Sequence, residues 1–207
     1  MNINILKSYS QAGQDLFAIY CNQGAENGFY FEAGSNEPVL GSNTALLERD
    51  FNWSGISIEY VQELCDEFNH NRKNPCLNYD LNHKSLTEIL DEQKAPKIID
   101  YMSHDLDNHP TRYDSLKTLD FNKYKIKCLT WEHDFYDNGE KTRKDGLDFL
   151  RDNGMQIVVQ NVMWQGKMFE SWAVDPNLVD EKLWKSLVCD TAEYTTIVEK
   201  MTSNQIL

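Results

Sequence analysis

The stretch Gly28-Phe29-Tyr30-Phe31-Glu32-Ala33-Gly34-Ser35-Asn36-Glu37-Pro38 decides how the rest of the chain is read. Its first half is a short aromatic and apolar run, which reads as a strand from Gly28 to Ala33. Its second half is a turn, in which Gly34 lets the backbone come close to a ligand. Glu32 puts a carboxylate at the strand tip. An amphipathic helix over Asn43–Asp50 follows, carrying Leu46 and Leu47, and then a second strand rich in Ile, Ser54–Glu59.

Outward from there the same rhythm repeats. A helix is expected over Val61–Asn69 and a third strand near Cys76–Asp80. The next helix covers about Lys84–Gln93, with Leu86, Ile89 and Leu90 on one face. The fourth strand is Ile98–His104, the next helix about Tyr113–Leu119, and the fifth strand Lys125–Trp131. A helix over Thr142–Asp152 is closed by Asn153-Gly154. Then the rhythm changes: Met155–Met163 and Phe169–Val174 read as two strands joined by a Gly-containing loop, a hairpin, before a last helix over Asp180–Val188. Strand–helix units of this kind build a parallel sheet covered by helices on both faces. The expected fold is therefore α/β and Rossmann-like, a mostly parallel seven-stranded sheet with a C-terminal antiparallel hairpin. That ending is the architecture of class I methyltransferases. The expectation for residues 1–207 is one methyltransferase-like domain: an N-terminal cofactor-covering segment (1–27), a sheet core (28–174) and a C-terminal helical extension (175–207).

Composition narrows the partners. The 207 residues carry a net charge of −13, spread along the chain, with no run of Lys or Arg that would mark a nucleic-acid footprint. A small-molecule or glycan acceptor is expected, with no nucleic acid and no membrane partner. The five cysteines are scattered without a CxxC pair, so neither a zinc knuckle nor a disulfide framework is supported. Met1 to Gln14 is polar, and no apolar run approaches the roughly 20 residues of a membrane span. These features lead to the expectation of a cytoplasmic protein with reduced thiols.

In open α/β sheets ligands bind beyond the carboxyl ends of the strands, at the switch point. The Glu32 carboxylate suits a cationic group there, such as the sulfonium and ammonium of S-adenosylmethionine. Glu59 ends the second strand, 25 residues beyond Gly34, where an acid commonly accepts both ribose hydroxyls. The loop is not GxGxxG, which counts against a dinucleotide or nucleotide-sugar enzyme. Together the two acids favour a nucleoside site.

Seven segments resemble, in order, the FkbM-type methyltransferases. Ser10-Gln11-Ala12-Gly13-Gln14-Asp15 is similar to their SQxGQD opening and Glu32-Ala33-Gly34-Ser35-Asn36 to their first-strand loop. Ser42-Asn43-Thr44 with Leu46-Leu47-Glu48 resembles SNTxxLE, and Asn52-Trp53-Ser54-Gly55-Ile56 through Glu59 resembles gWxGixIE. Ile99 through Asp107 resembles IDYLSLDIE, Trp131-Glu132-His133 the fifth-strand VEH, and Trp172 through Asp180 the late W-V-x-P-x-L-V-D segment. The resemblance implies S-adenosylmethionine as cofactor and methyl transfer, usually to oxygen and often on a sugar. It implies that Gln14, Glu32, Gly34, Ser35 and Asn43 line the methionine end, with Gln11, Asp15 and Tyr60 also among the cofactor-binding residues. It places Glu59 at the ribose, Asp80 toward the adenine and Asp105 at the reacting methyl. The chain departs from the pattern after Asp107, where Asn108, His109 and Pro110 stand in place of Gly and a second acid.

The chemistry itself asks little of the protein. A sulfonium is already activated, so the enzyme mainly aligns the acceptor, and a base assists a hydroxyl. The expected catalytic residues are Asp105 at the fourth strand end and Glu132 with His133 at the fifth. His133, whose ordinary pKa suits proton removal near neutrality, or Asp105 is expected to take the acceptor proton, with Glu132 orienting it. The neighbouring His104, Asp105, Asp107, His109, Glu132, His133 and Asp134 invite a divalent metal, but no short spacing fixes a geometry, so metal is not favoured and no metal ligand is assigned. Arg112 is read as a solvated surface residue, and the dispersed tryptophans mostly as packing. The competing reading is a protein that binds S-adenosylmethionine or S-adenosylhomocysteine without catalysis, as a scaffold or partner. The altered Asn108-His109-Pro110 segment keeps it open.

Overall fold

The computed structural model describes residues 7–106 and 111–203. In chain order the elements are α1 (Gln14–Cys21), β1 (Phe29–Ala33), α2 (Ala45–Phe51), β2 (Ser54–Glu59), α3 (Gln62–Asn71), β3 (Cys76–Asn78), α4 (Leu86–Glu92) and β4 (Ile98–His104). They continue with α5 (Thr111–Leu116), β5 (Lys125–Glu132), α6 (Phe135–Asp152), β6 (Gln156–Trp164), β7 (Lys167–Val174), α7 (Glu181–Leu187), β8 (Cys189–Glu193) and α8 (Tyr194–Ser203). The strands form one sheet in the order β3-β2-β1-β4-β5-β7-β6-β8. β3, β2, β1, β4 and β5 run parallel, and β7 is inserted antiparallel between β5 and β6. The chain winds outward from β1 through β2 to β3, then starts again at β4 on the other side of β1. The ends of β1 and β4 are thus the switch point where such sheets bind ligands.

Strand alternation splits the core into two layers. Tyr30, Tyr101, Cys128 and Trp172 face a layer built with α1, α2, α7 and α8, where Phe17 stacks on Trp172 at 4.6 Å between ring centroids. Phe31, Met102, Leu129 and Ala173 face the opposite layer, filled by Leu86, Ile89 and Leu90 of α4, Leu116 of α5 and Leu147 and Leu150 of α6. On β6 the consecutive Val158 and Val159 both join the first layer, where the register with β7 shifts between Ile157 and Val159. α6 lies close against β5: a Cβ on Gly146 would stand 2.0 Å from the Trp131 indole.

The sheet has one strand more than expected. β8 pairs parallel with β6, so the sheet core does not end at Val174 and the tail is not purely helical. Its sequence, Cys-Asp-Thr-Ala-Glu, has no apolar alternation because it is a half-exposed edge strand. α1 is also additional to the expected elements. All eight of its residues are buried, so it shows no polar face against which a period could be read. α6 starts seven residues earlier than the expected Thr142, but Gly139, at φ 71° and ψ −178°, breaks it into a short first turn and a long second segment. Among the described residues no helix is long and apolar enough to cross a membrane.

Candidate active site

The ends of β1 to β5 and the loops after them surround a cavity of about 400 Å³. Its construction starts at Gly34. There φ is +83°, and a Cβ would stand 1.8 Å from the Asp105 carbonyl oxygen, so the loops leaving β1 and β4 cross as closely as backbone allows. The N–H groups of Gly34 and Ser35 both donate to the Ile58 carbonyl, at 2.9 and 3.1 Å, which ties the loop across β2 as well.

Behind this loop sits Arg72, a fully buried guanidinium. It donates to the Pro38 carbonyl at 2.8 Å, to Ser42 Oγ at 3.2 Å and to Thr44 Oγ1 at 3.1 Å, and it pairs with Glu48 at 3.2 Å. One cation therefore holds the whole entry into α2. Glu32 accepts from Thr44 Oγ1 at 2.9 Å and Ser57 Oγ at 2.6 Å. Burial raises its pKa to about 7, against the charge of Arg72 and these two hydroxyls. Glu59 has both oxygens engaged by backbone, Oε2 by Asn36 N–H and Oε1 by Val61 N–H, each at 2.9 Å. Each oxygen keeps a lone pair for a ligand. Asn43 donates to Ser103 Oγ at 3.0 Å and Asp105 Oδ2 at 3.3 Å, while its own Oδ1 is buried without a hydrogen-bond partner. Asp80 accepts from the N–H and side-chain amide of Asn82 at 2.8 and 2.9 Å, and Tyr60, 70 % exposed, stands at the mouth.

The other end of the cavity is more crowded with acids. Burial pushes Glu132 up to about 12, with the charge and hydrogen bond of Asp105 adding to it and Arg112 opposing. Arg112, only 3 % exposed, pairs with Asp134 at 2.6 Å and Glu132 at 3.5 Å and donates to the Leu106 carbonyl. It is a buried bridge and not the solvated residue expected. Glu170, the register partner of Glu132 on β7, accepts from Trp172 Nε1 at 2.6 Å, and burial raises it to about 8.

Of the expected site residues, Gln11, Glu32, Gly34, Ser35, Asn43, Glu59, Tyr60, Asp80, Asp105 and Glu132 line this one cavity. Gln14, Asp15 and His133 do not. Asp15 is buried beneath the N-terminal strap, accepting from Ser8 Oγ, Tyr9 N–H and Ser10 Oγ at 2.7, 2.7 and 2.8 Å, so it fastens the strap that carries Gln11. Gln14 faces Glu170 and accepts from Ala12 N–H at 2.8 Å. His133 is the main correction. It is one residue past Glu132 and so lies on the opposite face of the strand. There it is fully buried, with Nε2 3.1 Å from Ser171 Oγ, and burial holds its pKa down at about 3. His104 is its counterpart on β4, 2.9 Å from Ser115 Oγ and likewise held near 3 by burial. Among the described residues no group of three or more His, Cys, Asp or Glu is arranged to hold a metal ion. Asp107, Asn108, His109 and Pro110 lie outside the described residues.

Thr44, Ser57, Arg72 and Glu170 support the site from behind its lining and were not expected. Glu170 carried a signal: it is an acid two residues before Trp172, on the buried parity of a strand. Arg72 carried none, because its partners on β1, α2 and the loop between them are 24 to 42 positions away in sequence.

No protein-family model matches the chain, and no curated protein matches it in sequence. Solved structures do share its fold. An O-methyltransferase from Bacillus cereus in complex with SAH aligns at a TM-score of 0.52 and 15 % identity over 81 % of this chain and 82 % of that one. An O-methyltransferase from Streptomyces achromogenes involved in tomaymycin synthesis, in complex with SAM, aligns at 0.55 and 11 % over 81 % of each chain. A protein from Clostridium thermocellum designated an rRNA-methylase aligns at 0.54 and 12 %, over 82 % of this chain and 97 % of that one. The fold is the Rossmann-like methyltransferase fold, here with an eighth strand.

Proposed function

We propose that this chain is an S-adenosylmethionine-dependent methyltransferase that acts on a hydroxyl of a sugar or another small hydroxylated metabolite. One observation carries the reading: four strand ends in a row deliver Glu59, Glu32, Asp105 and Glu132 to a single cavity at the switch point, with Gly34 giving close backbone approach. The donor set fits the cofactor. Glu59 has two backbone-anchored oxygens for a ribose diol. Glu32, the unpartnered Asn43 Oδ1 and Asp105 offer acceptors to an ammonium and a sulfonium, and Asp80 with Tyr60 flanks the adenine side. Gln11 closes the cavity from the N-terminal strap. When bound, the cofactor supplies a methyl group on a sulfonium, ready for in-line displacement. The chain's own task is to align the acceptor and take its proton. Asp105 and Glu132 line the cavity and are the groups for that proton; His133 is not.

The seven ordered motifs support an FkbM-type subfamily and a single methyltransferase-like domain. The charge of −13 supports a small acceptor over a phosphate backbone, although one fold relative carries an rRNA-methylase designation. The five free thiols, four of them buried, fit a reducing cytoplasmic setting.

Calorimetry with S-adenosylmethionine, S-adenosylhomocysteine and NAD tests the reading. Binding of the first two and not of NAD is the expected result, followed by methyl transfer to a member of a hydroxylated acceptor panel. Binding of NAD alone overturns it. Binding of the methionine cofactors with no product across the panel favours a non-catalytic binding protein.

A further inference from the structure

Asp105, Glu132 and Glu170 stand on one level of the sheet. β4 and β5 pair His104 with Trp131, so Asp105 and Glu132 follow side by side, and β5 and β7 pair Glu132 with Glu170. Neighbouring strands are about 4.8 Å apart. Strand parity sends all three side chains to the layer of Tyr101 and Trp172. Asp105 and Glu132 both line the cavity, and the Asp105 charge adds to the burial that raises the Glu132 carboxyl. Like charges on neighbouring strand ends disfavour a second ionisation, so Glu132 holds its proton.

Among the described residues, the surroundings do not neutralise this row. From α5 comes a single cation, Arg112, and it is shared with Asp134 at the start of α6. From β1 comes another carboxyl, Glu32, whose counter-ion Arg72 is already paired with Glu48. The Tyr101 hydroxyl on β4 is bound to Thr130 Oγ1 at 2.8 Å, and α1 brings only the uncharged Gln14. A separate observation points to a ligand here: Asn43, 5 % exposed, lines the cavity, donates to Asp105 and leaves its Oδ1 without a partner.

We propose that Asp105, Glu132 and Glu170 act as one proton-sharing unit, which releases a proton when a cation enters the cavity and takes up the acceptor's proton when that cation is discharged. This inference rests on the methyltransferase reading above. The balance is simple. The acceptor O–H proton passes to the unit as the O–CH₃ bond forms and the S–CH₃ bond breaks, its electron pair staying on sulfur. One positive charge leaves sulfur and one arrives on the carboxyls, so the buried cavity keeps a constant charge and no net desolvation penalty falls on the step. Asp105 and Glu132 line the cavity; Glu170, behind them, is a positioning residue that sets how readily the unit gives up its proton.

The test needs no acceptor. The full chain is titrated calorimetrically with S-adenosylmethionine and with S-adenosylhomocysteine at pH 7, in two buffers of different ionisation enthalpy. The amino and carboxylate groups common to both ligands cancel in the difference. The charged ligand is expected to release more protons than the neutral one, by on the order of one. Glu170→Gln is expected to lower that difference by half or more while both ligands still bind. Equal proton release for the two ligands in the native chain overturns the proposal without need of a variant. A native difference retained in a folded Glu170→Gln chain overturns the part given to Glu170. Failure of both ligands to bind is a different result, and overturns the methyltransferase reading with everything built on it.

Discussion

At the β1–β2 end of the cavity each carboxyl has donors built around it: Thr44 and Ser57 for Glu32, two backbone amides for Glu59. At the β4–β7 end, Asp105, Glu132 and Glu170 stand beside one another with one guanidinium, itself divided between Glu132 and Asp134. At the first end the donors are already in place around each carboxyl. The second is short of positive charge and can respond to one. A site that binds an invariant nucleoside and then moves a proton needs both kinds of construction.

The sharpest break in the first end is Gly34→Ala. The left-handed backbone costs a non-glycine residue about 1–2 kcal/mol, and the Cβ would meet a carbonyl that two loops hold in place. A loss of about 3 kcal/mol or more in denaturant unfolding is expected, with cofactor binding lost. A loss under about 1 kcal/mol would mean that β1 and β4 do not cross as closely as described. Glu59→Ala acts on binding more than folding. Removing charge-assisted hydrogen bonds to a diol costs about 1.5–3 kcal/mol, so S-adenosylmethionine affinity by calorimetry should fall 10- to 100-fold. Unchanged affinity would move the ribose elsewhere.

The second end is probed by pH. Glu132 and Glu170 have folded pKa values raised to about 12 and about 8, against 4.5 for an ordinary Glu, and Glu32 at about 7 adds to them. The folded chain therefore holds protons that the unfolded chain has lost, and stability falls as pH rises above about 4.5. Buried His104 and His133, held near 3 against 6.5, act in the opposite direction below pH 6.5 and not above it. From pH 6.5 to 8 the carboxyl effect stands alone. Each carboxyl still protonated in the fold lowers stability by roughly 1.4 kcal/mol per pH unit, and the melting temperature should drop accordingly. Glu170→Gln should flatten the slope. A melting temperature that is level or rising over this range contradicts the undercompensated row.

The two ends also differed in how far they could be read from sequence. Glu32, Gly34 and Glu59 were legible because strand ends at a switch point are predictable from periodicity, and β2 and β4 fall at the expected residues. Loop chemistry set by distant partners was not legible: Arg72 reaches Pro38, Ser42 and Thr44 across some thirty positions. α1 was hidden by its complete burial and β8 by its polar edge. Glu170 was legible only in part. A lone acid on a strand face gains meaning only when the register sets Glu132 opposite it.

The smallest expected effect is the most instructive about that register. Glu132 and His133 are adjacent in sequence, yet one lines the cavity and the other is packed in the opposite layer, edge-on to Trp131 at 5.4 Å between ring centroids. The same alternation that separates His104 from Asp105 separates these two. His133→Gln keeps a group able to reach Ser171 Oγ and adds no charge. It should leave affinity for S-adenosylmethionine within about twofold and lower stability by about 1 kcal/mol, whereas Glu132→Gln, one residue away, should change the protons released on binding. If His133→Gln instead altered proton release while Glu132→Gln did not, the parity of β5 would be reversed, and with it the placement of every acid in the row.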